Sequence, residues 1–375
     1  MSRHVLKGGG WSLAIVAAIW MIAAAVRGGG AEQAAALPVE ALPPPAPVAA
    51  PPPPPLSLEA VDAMARELPR LHSLLVSRAG ELIFEEYYNG TRRDRLANVK
   101  SASKSVISAL TGVAIDRGLI PGVGTPIATY FPELARAADP GKLAITVEDL
   151  LEMRSGLEGT SNRNYGAWVL SRNWVQHALA RPMFAPPGEV MEYSTGNTHL
   201  LSAILTKAAG TSTWQLANEV LAEPLGFSLA RWPRDPQGIY FGGNDMLMTP
   251  RQLLAFGELY LNGGRSGERQ IVAESWVARS CEGRERRREA RPGRGASDPM
   301  SDRQYGYGWW VHDFSGHETC FAWGYGGQYV FVVPDLDVVI VTTSASDVSE
   351  ERRGHRRTIF DIVDGLLLAR MSARS

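Results

Sequence analysis

The sequence predicts an α+β fold: an antiparallel sheet flanked by helices and interrupted by a mostly helical insertion. Three observations predict it. Two strand-like segments lie near residue 80 and four more follow between about 305 and 344. Between those sets, residues 118–231 read as helices and loops without strand alternation. The chain then closes on "RRTIFDIVDGLLLARM", whose apolar positions recur at helical spacing.

Taken in order, residues 1–30 read as an export signal. Arg3 and Lys7 precede an apolar run, residues 11–26, which is followed by Arg27 and a glycine cluster. The run is shorter than the roughly 20 residues of a spanning helix, which favours a cleaved signal peptide over a membrane anchor through residues 11–26. No cysteine follows to carry a lipid. The expected location is therefore periplasmic or extracellular. Residues 31–56 are rich in alanine and proline and end in "PPPPPL", an extended spacer outside any core. From Ser57, "LEAVDAMARELPRL" has helical spacing, and "SLLVSRAGELIFEEYYNG" reads as two strands joined at Ala79–Gly80. The next stretch, "NVKSASKSVISAL", begins a helix whose apolar face is Val106, Ile107, Leu110, Val113 and Ala114. Within the insertion, "TVEDLLEM", "HLLSAILTKAAG" and "STWQLANEVLAEPLG" are helical. After it, "TPRQLLAFGELYLNGG" is a helix closed by glycines, and "YGYGWWV", "CFAWGYGG", "QYVFVVP" and "DVVIVTTS" are strands. The layout is thus an α/β sandwich from 57–117 and 232–375 around a helical domain, 118–231. There is no internal repeat.

Composition excludes some functions. A net charge of -1, with 21% charged residues, gives no general attraction to nucleic acid or anionic surfaces. The arginine-rich run from Arg284 to Arg294 reads as a solvated loop. The seven histidines are scattered without metal-site spacing, so neither a metal nor an organic cofactor is expected. Cys281 and Cys320 could pair in an oxidising compartment or remain two buried thiols; spacing does not decide.

The reactive chemistry centres on Ser101 and Lys104. Three residues apart on a helix, they share a face. Lysine can deprotonate a serine if burial lowers its pKa, whereas arginine stays protonated. The chain has only five lysines against 33 arginines, so a lysine entering an apolar helix beside a serine is informative. The helix N-terminus nearby would favour a developing oxyanion. The bland alternative is a capping serine and a solvated lysine. Tyr193, in "MEYSTGNTHLL", sits in a polar turn before an apolar helix and could relay a proton. Gly324, Gly326 and Gly327 interrupt a strand pattern, where glycine admits a close backbone approach or marks a bulge.

These three elements, in this order, resemble the serine beta-lactamase-related hydrolases, which include class C beta-lactamases, D-alanyl-D-alanine peptidases, esterases and 6-aminohexanoate-dimer hydrolases. The resemblance covers about residues 57–375 and extends to "DLLEMRSGL", "FAPPGEVMEYSTGN" and "PDLDVVIVTTS". It implies a beta-lactamase/transpeptidase-like fold, with Ser101 as the acylated nucleophile, Lys104 as its base and Tyr193 as the second-motif tyrosine. The oxyanion hole would be the N–H groups of Ser101 and of Gly327 or its neighbour. Two positions depart from the family pattern. Thr195 stands where asparagine is frequent, and Gly324-Tyr325-Gly326 stands where Lys-Thr-Gly would bind a carboxylate. The lost charge-assisted contact, about 1.5 to 3 kcal/mol, favours neutral ester or amide substrates. Trp323, Tyr325, Tyr165 and Trp168 could line an apolar acyl pocket.

The expected function is therefore an exported serine hydrolase acting on a small ester or amide, without nucleic-acid partners and with its oligomeric state open. A beta-lactamase or D-alanyl-D-alanine peptidase is the nearest alternative, and a catalytically silent envelope-binding module a more distant one. A Ser-His-Asp enzyme is disfavoured because no G-x-S-x-G elbow occurs, and His199 and His317 read as polar neighbours.

Overall fold

A computed structural model describes residues 57–283, 303–348 and 352–371. The export-signal reading of residues 1–30, the spacer 31–56 and the arginine run 284–294 lie outside the described residues. Helix α1 (Leu58–Arg66) starts at Ser57, whose hydroxyl accepts from the Ala60 N–H. Strands β1 (Leu71–Arg78) and β2 (Glu81–Tyr87) meet at Ala79–Gly80, both at positive φ, as the hairpin pattern predicts. The two-residue strand β3 (Ala97–Asn98) leads into a 3₁₀ turn, Lys100–Ala102, and then α2 (Ser103–Asp116). Next come α3 (Val147–Leu151), α4 (Tyr165–Val169), α5 (Trp174–Ala180), α6 (Thr195–Ala209) and α7 (Thr213–Ala217). A short strand β4 (Leu247–Met248) precedes α8 (Pro250–Leu261), which opens with a Thr249–Gln252 capping box and Pro250 in its first turn. The strands β5 (Arg265–Ser266) and β6 (Arg269–Gln270), then α9 (Glu274–Cys281), follow. The chain ends with β7 (Gln304–Tyr305), β8 (Trp310–Phe314), β9 (His317–Gly324), β10 (Gln328–Val333), β11 (Val338–Ser344) and α10 (Arg352–Met371).

Seven strands form one sheet in the order β2-β1-β11-β10-β9-β8-β7, and its neighbours are antiparallel. Strands from both ends of the sequence meet where β1 pairs with β11. The central strands are largely apolar because both faces are covered, with Gln328 at the start of β10 and Thr342, Thr343 and Ser344 at the end of β11 as polar exceptions. Phe331, Val333, Val338 and Ile340 point into a cluster with Val61 of α1 and Ile359, Val363 and Leu366 of α10. The alternate residues Val330, Val332, Val339 and Val341 join a larger cluster with α2, α6 and α8. Gly257 lets α8 lie close on the sheet, since a Cβ there would come within 2.5 Å of Val339 Cγ1. No helix among the described residues is long and apolar enough to cross a membrane. Cys281 and Cys320, left open by the sequence, form a disulfide between α9 and β9, with Cα atoms 5.4 Å apart.

Candidate active site

The backbone ahead of Ser101 is held on several sides. Strand β3 pairs with β4, and the Val99 N–H donates to the Met246 carbonyl at 2.9 Å. Lys100, the next residue, has φ +49, a left-handed conformation that a side chain adopts only under constraint. The constraint is Asp245: its Oδ1 takes hydrogen bonds from Lys100 Nζ and from Asn98 Nδ2, both at 2.8 Å. Ser101 thus sits in the 3₁₀ turn, just before α2, and is partly open to solvent. The other serines of the stretch have different duties. Ser103 donates to the Lys100 carbonyl and Ser105 to the Gly308 carbonyl, each at 2.8 Å.

Lys104 points from the first turn of α2 toward Ser101, and it is 1% exposed. Its ammonium has three acceptors: Ser101 Oγ at 3.1 Å, Thr195 Oγ1 at 3.2 Å and the Gly243 carbonyl at 2.5 Å. Burial pulls its pKa from the usual 10.5 down to about 7, with the Asp245 charge opposing. Lysine can therefore be neutral near neutral pH, as a base for serine must be. Gly243 makes this packing possible. At φ +90, a Cβ on it would reach 2.2 Å from Thr198 Oγ1 and 2.8 Å from Lys104 Cγ.

Tyr193 completes a triangle with the serine and the lysine. Its ring centre is 5.1 Å from Lys104 Nζ, and burial pushes its pKa up to about 12 against the opposing effects of a hydrogen bond with Ser101 and the Arg303 charge. The ring stacks on Trp310 at 5.6 Å, and Arg303 lies 4.8 Å from the Trp310 ring centre. Thr195 offers no amide in the asparagine place. Its hydroxyl instead joins Lys104 to Ser161, whose Oγ lies 2.9 Å away and also accepts the Thr195 N–H.

Neither histidine serves Ser101. His199 is buried with both nitrogens engaged: Nδ1 accepts the Gly242 N–H at 3.3 Å, which leaves Nε2–H to donate to Asp235 at 3.0 Å. It thereby anchors the loop that presents Gly243 and Asp245. His317 pairs with Asp335 at the start of β9, seven residues from the glycine turn at its other end.

The pocket residues separate. Trp168 belongs to the core instead of an acyl pocket: it is fully buried, donates to the Trp174 carbonyl at 2.9 Å and packs against His199 and Phe241. Tyr165, the half-buried first residue of the five-residue helix α4, accepts a 2.6 Å hydrogen bond from Asn244, beside Asp245. Trp323 lies 5.7 Å from Trp310 and stacks on Tyr329, so it extends the aromatic wall behind Tyr193. Gly324 ends β9 against the loop that carries Ser101, where a Cβ would come within 2.1 Å of the Val99 carbonyl oxygen. A lysine could not stand there without pushing the strand away. Tyr325 and Gly326 form the hairpin with Gly327, and Gly326 abuts the Ala345 carbonyl. Gly327, expected with its neighbour to donate to an oxyanion, closes the turn between β9 and β10. Its N–H points back to the Gly324 carbonyl at 3.4 Å, and its carbonyl accepts from Thr342 and Ser344. Sequence reasoning missed Asp245, Gly243, Asn244, Ser161 and the His199–Asp235 pair; the "GGND" string at 242–245 was the one local signal for them.

Residues 70–364 match the family model described as Beta-lactamase. A 6-aminohexanoate-dimer hydrolase of Paenarthrobacter ureafaciens is 26% identical over 321 residues, covering 79% of this chain and 80% of that protein. Among solved structures, a D-amino acid amidase from Ochrobactrum anthropi SV3 superposes with a TM-score of 0.64 at 17% identity, covering 84% of this chain and 99% of that one. A class C beta-lactamase from Rhodobacter sphaeroides gives 0.60 at 16% identity, with 82% and 99% covered. The structural likenesses establish the shared fold, an antiparallel sheet with flanking helices, as the sequence predicts.

Proposed function

The chain belongs to the beta-lactamase family and is a serine hydrolase, and we propose that it opens ester or amide bonds through an acyl-enzyme on Ser101. The observation that carries this reading is the buried Lys104, 3.1 Å from Ser101 Oγ and with its pKa lowered to about 7. Neutral Lys104 takes the serine proton as Oγ attacks the substrate carbonyl carbon. Negative charge on the carbonyl oxygen then meets the Ser101 N–H at the entrance of α2 and a neighbouring amide of the Gly324–Gly327 turn. The leaving alcohol or amine takes a proton from Tyr193, whose ring stands beside Lys104, and the protonated lysine restores the phenol and is itself left neutral. Water repeats the sequence in reverse roles and frees the acid.

The substrate group beside the reacting carbonyl is neutral in this reading, because Gly324 supplies no cation where a beta-lactam or D-alanyl-D-alanine carboxylate would need one. The 6-aminohexanoate-dimer hydrolase name of the Paenarthrobacter relative and the amidase name of the Ochrobactrum structure support amides as well as esters. Export is part of the proposal. It is supported by the basic and apolar start of the chain, by the proline-rich spacer and by the Cys281–Cys320 disulfide.

The test is turnover of short-chain nitrophenyl esters and linear amides by wild type and Ser101→Ala, beside nitrocefin and D-alanyl-D-alanine peptides. The reading predicts ester or amide turnover that Ser101→Ala loses. Equal turnover by both proteins would overturn it, and preferential hydrolysis of nitrocefin would replace the substrate assignment.

A further inference from the structure

A cavity of about 420 Å³ lies beside the candidate active site and has no part in the mechanism above. One wall is the segment that runs into Ser101, with Leu96, Ala97 and Asn98; the other is residues 343–347 after β11. Both walls adjoin the backbone that carries the candidate site. Asn98 is three residues from Ser101, so their Cα atoms are at most about 11 Å apart. Ser344 donates to the Gly327 carbonyl at 3.1 Å, and Gly326 is packed so closely on the opposite wall that a Cβ would lie 2.5 Å from the Ala345 oxygen.

The lining has two characters. Leu96, Ala97 and Leu247 supply apolar surface, while His72, Arg95 and Ser346 supply polar groups. The charges do not cancel. Asp347, the lining carboxylate, is taken by Arg70, with Nη1 3.2 Å from Oδ2 and Nη2 3.1 Å from Oδ1. Arg95 has a single side-chain partner among the described residues, the Thr91 hydroxyl at 3.3 Å, and no carboxylate. His72 makes no side-chain hydrogen bond among the described residues. Burial first, and the Arg95 and Arg70 charges after it, press its ring toward the neutral form, with Asp347 opposing. A neutral ring still donates from one nitrogen. An exposed guanidinium without a carboxylate partner among the described residues, lining a space of ligand size together with Leu96, Ala97 and Leu247, suits a chain that ends in an anion.

We propose that this cavity is a subsite for a carboxylate carried on an aliphatic arm of the substrate, with Arg95 as its cationic partner and His72 and Ser346 as further donors. The proposal rests on the serine-hydrolase reading and adds a substrate class to it. The carboxylate that Gly324 cannot hold next to the reacting carbonyl is held at the far end of the arm.

Two matched pairs test it, one for each side of the scissile bond: the mono-nitrophenyl ester of adipic acid against its methyl-capped diester, and N-acetyl-aminohexanoic acid against its methyl ester cleaved at the amide. In wild type, the carboxylate member of at least one pair should have about tenfold higher kcat/KM. That ratio should fall toward one in Arg95→Gln and persist in Arg95→Lys. Because each ratio is taken within one protein, a general loss of activity leaves it interpretable. Free adipate should also compete with the capped ester in wild type and lose that competition in Arg95→Gln, a readout that does not need a cleavable acid. A ratio of one in both wild-type pairs, or a preference and competition unchanged by Arg95→Gln, overturns the subsite. Turnover of the capped esters reports on Ser101 separately, so the hydrolase reading can stand while the subsite falls.

Discussion

Lys104 Nζ and Ser101 Oγ stand 3.1 Å apart, and the lysine reaches that position with 1% of its surface exposed. Its remaining hydrogen bonds go to the neutral groups of Thr195 and Gly243, and the nearest influence that keeps it charged is Asp245. The ammonium is solvated by dipoles alone. This is the physical reason that its proton is easily lost.

The pH profile should show this directly. Neutral lysine is the base, so kcat/KM on a neutral ester should rise with pH through about 7. Asp245 raises the lysine pKa, and Asp245→Asn should move the rising limb to lower pH. A limb that stays in place would show that another group titrates.

Lysine at this position should cost stability at low pH. Its folded pKa of about 7 lies below the usual 10.5, so between those values the unfolded chain binds more protons and stability rises with pH. Relative to Lys104→Met, wild type should be least stable below pH 7 and should gain steadily toward pH 10. Urea unfolding of both proteins across that range measures the gap, which should close as pH rises.

Charge alone should not replace the base. Lys104→Arg stays protonated and should lose roughly 10²- to 10⁴-fold in kcat, as should Tyr193→Phe if the phenol moves a proton. Steady-state kinetics on an activated and an unactivated ester separate the two. The activated leaving group should tolerate Tyr193→Phe better, because it needs no proton.

Gly324→Lys should fail to create a beta-lactamase. The new Cβ would meet the Val99 carbonyl at 2.1 Å, so β9 and the Ser101 loop must part. The expected result is a loss of about 1 to 3 kcal/mol in stability with lower turnover of every substrate, measured by denaturant unfolding and nitrocefin hydrolysis. A stable variant that hydrolyses nitrocefin would contradict this packing.

The Cys281–Cys320 bond closes a span of 39 residues, and its removal should cost about 2 to 4 kcal/mol. Unfolding of Cys281→Ala/Cys320→Ala beside wild type checks the value.

What could be read beforehand followed the range of each signal. Ser101 and Lys104 were legible because their relation is local, one helical turn within one segment. The sheet was legible because β10 and β11 are covered on both faces and so carry the unbroken apolar runs 329–333 and 338–341. The groups that tune Lys104 were hidden. Gly243 and Asp245 lie about 140 residues away in sequence and reach it through a loop anchored by His199 and Asp235. Aromatic type gave no means to separate Trp168, whose indole is spent on the Trp174 carbonyl, from Tyr165, which meets Asn244 beside the site. Glycine was equally ambiguous. Gly324 and Gly327 share a turn, yet one admits the Ser101 loop and the other closes the hairpin.

The central claim is a covalent acyl group on Ser101, and intact-protein mass spectrometry during ester turnover tests it most directly. Wild type quenched in acid should carry one acyl mass, mapped by peptide digestion to Ser101, and Lys104→Arg should acquire it far more slowly. Turnover with no adduct in wild type, or the same adduct on Ser101→Ala, would contradict the account.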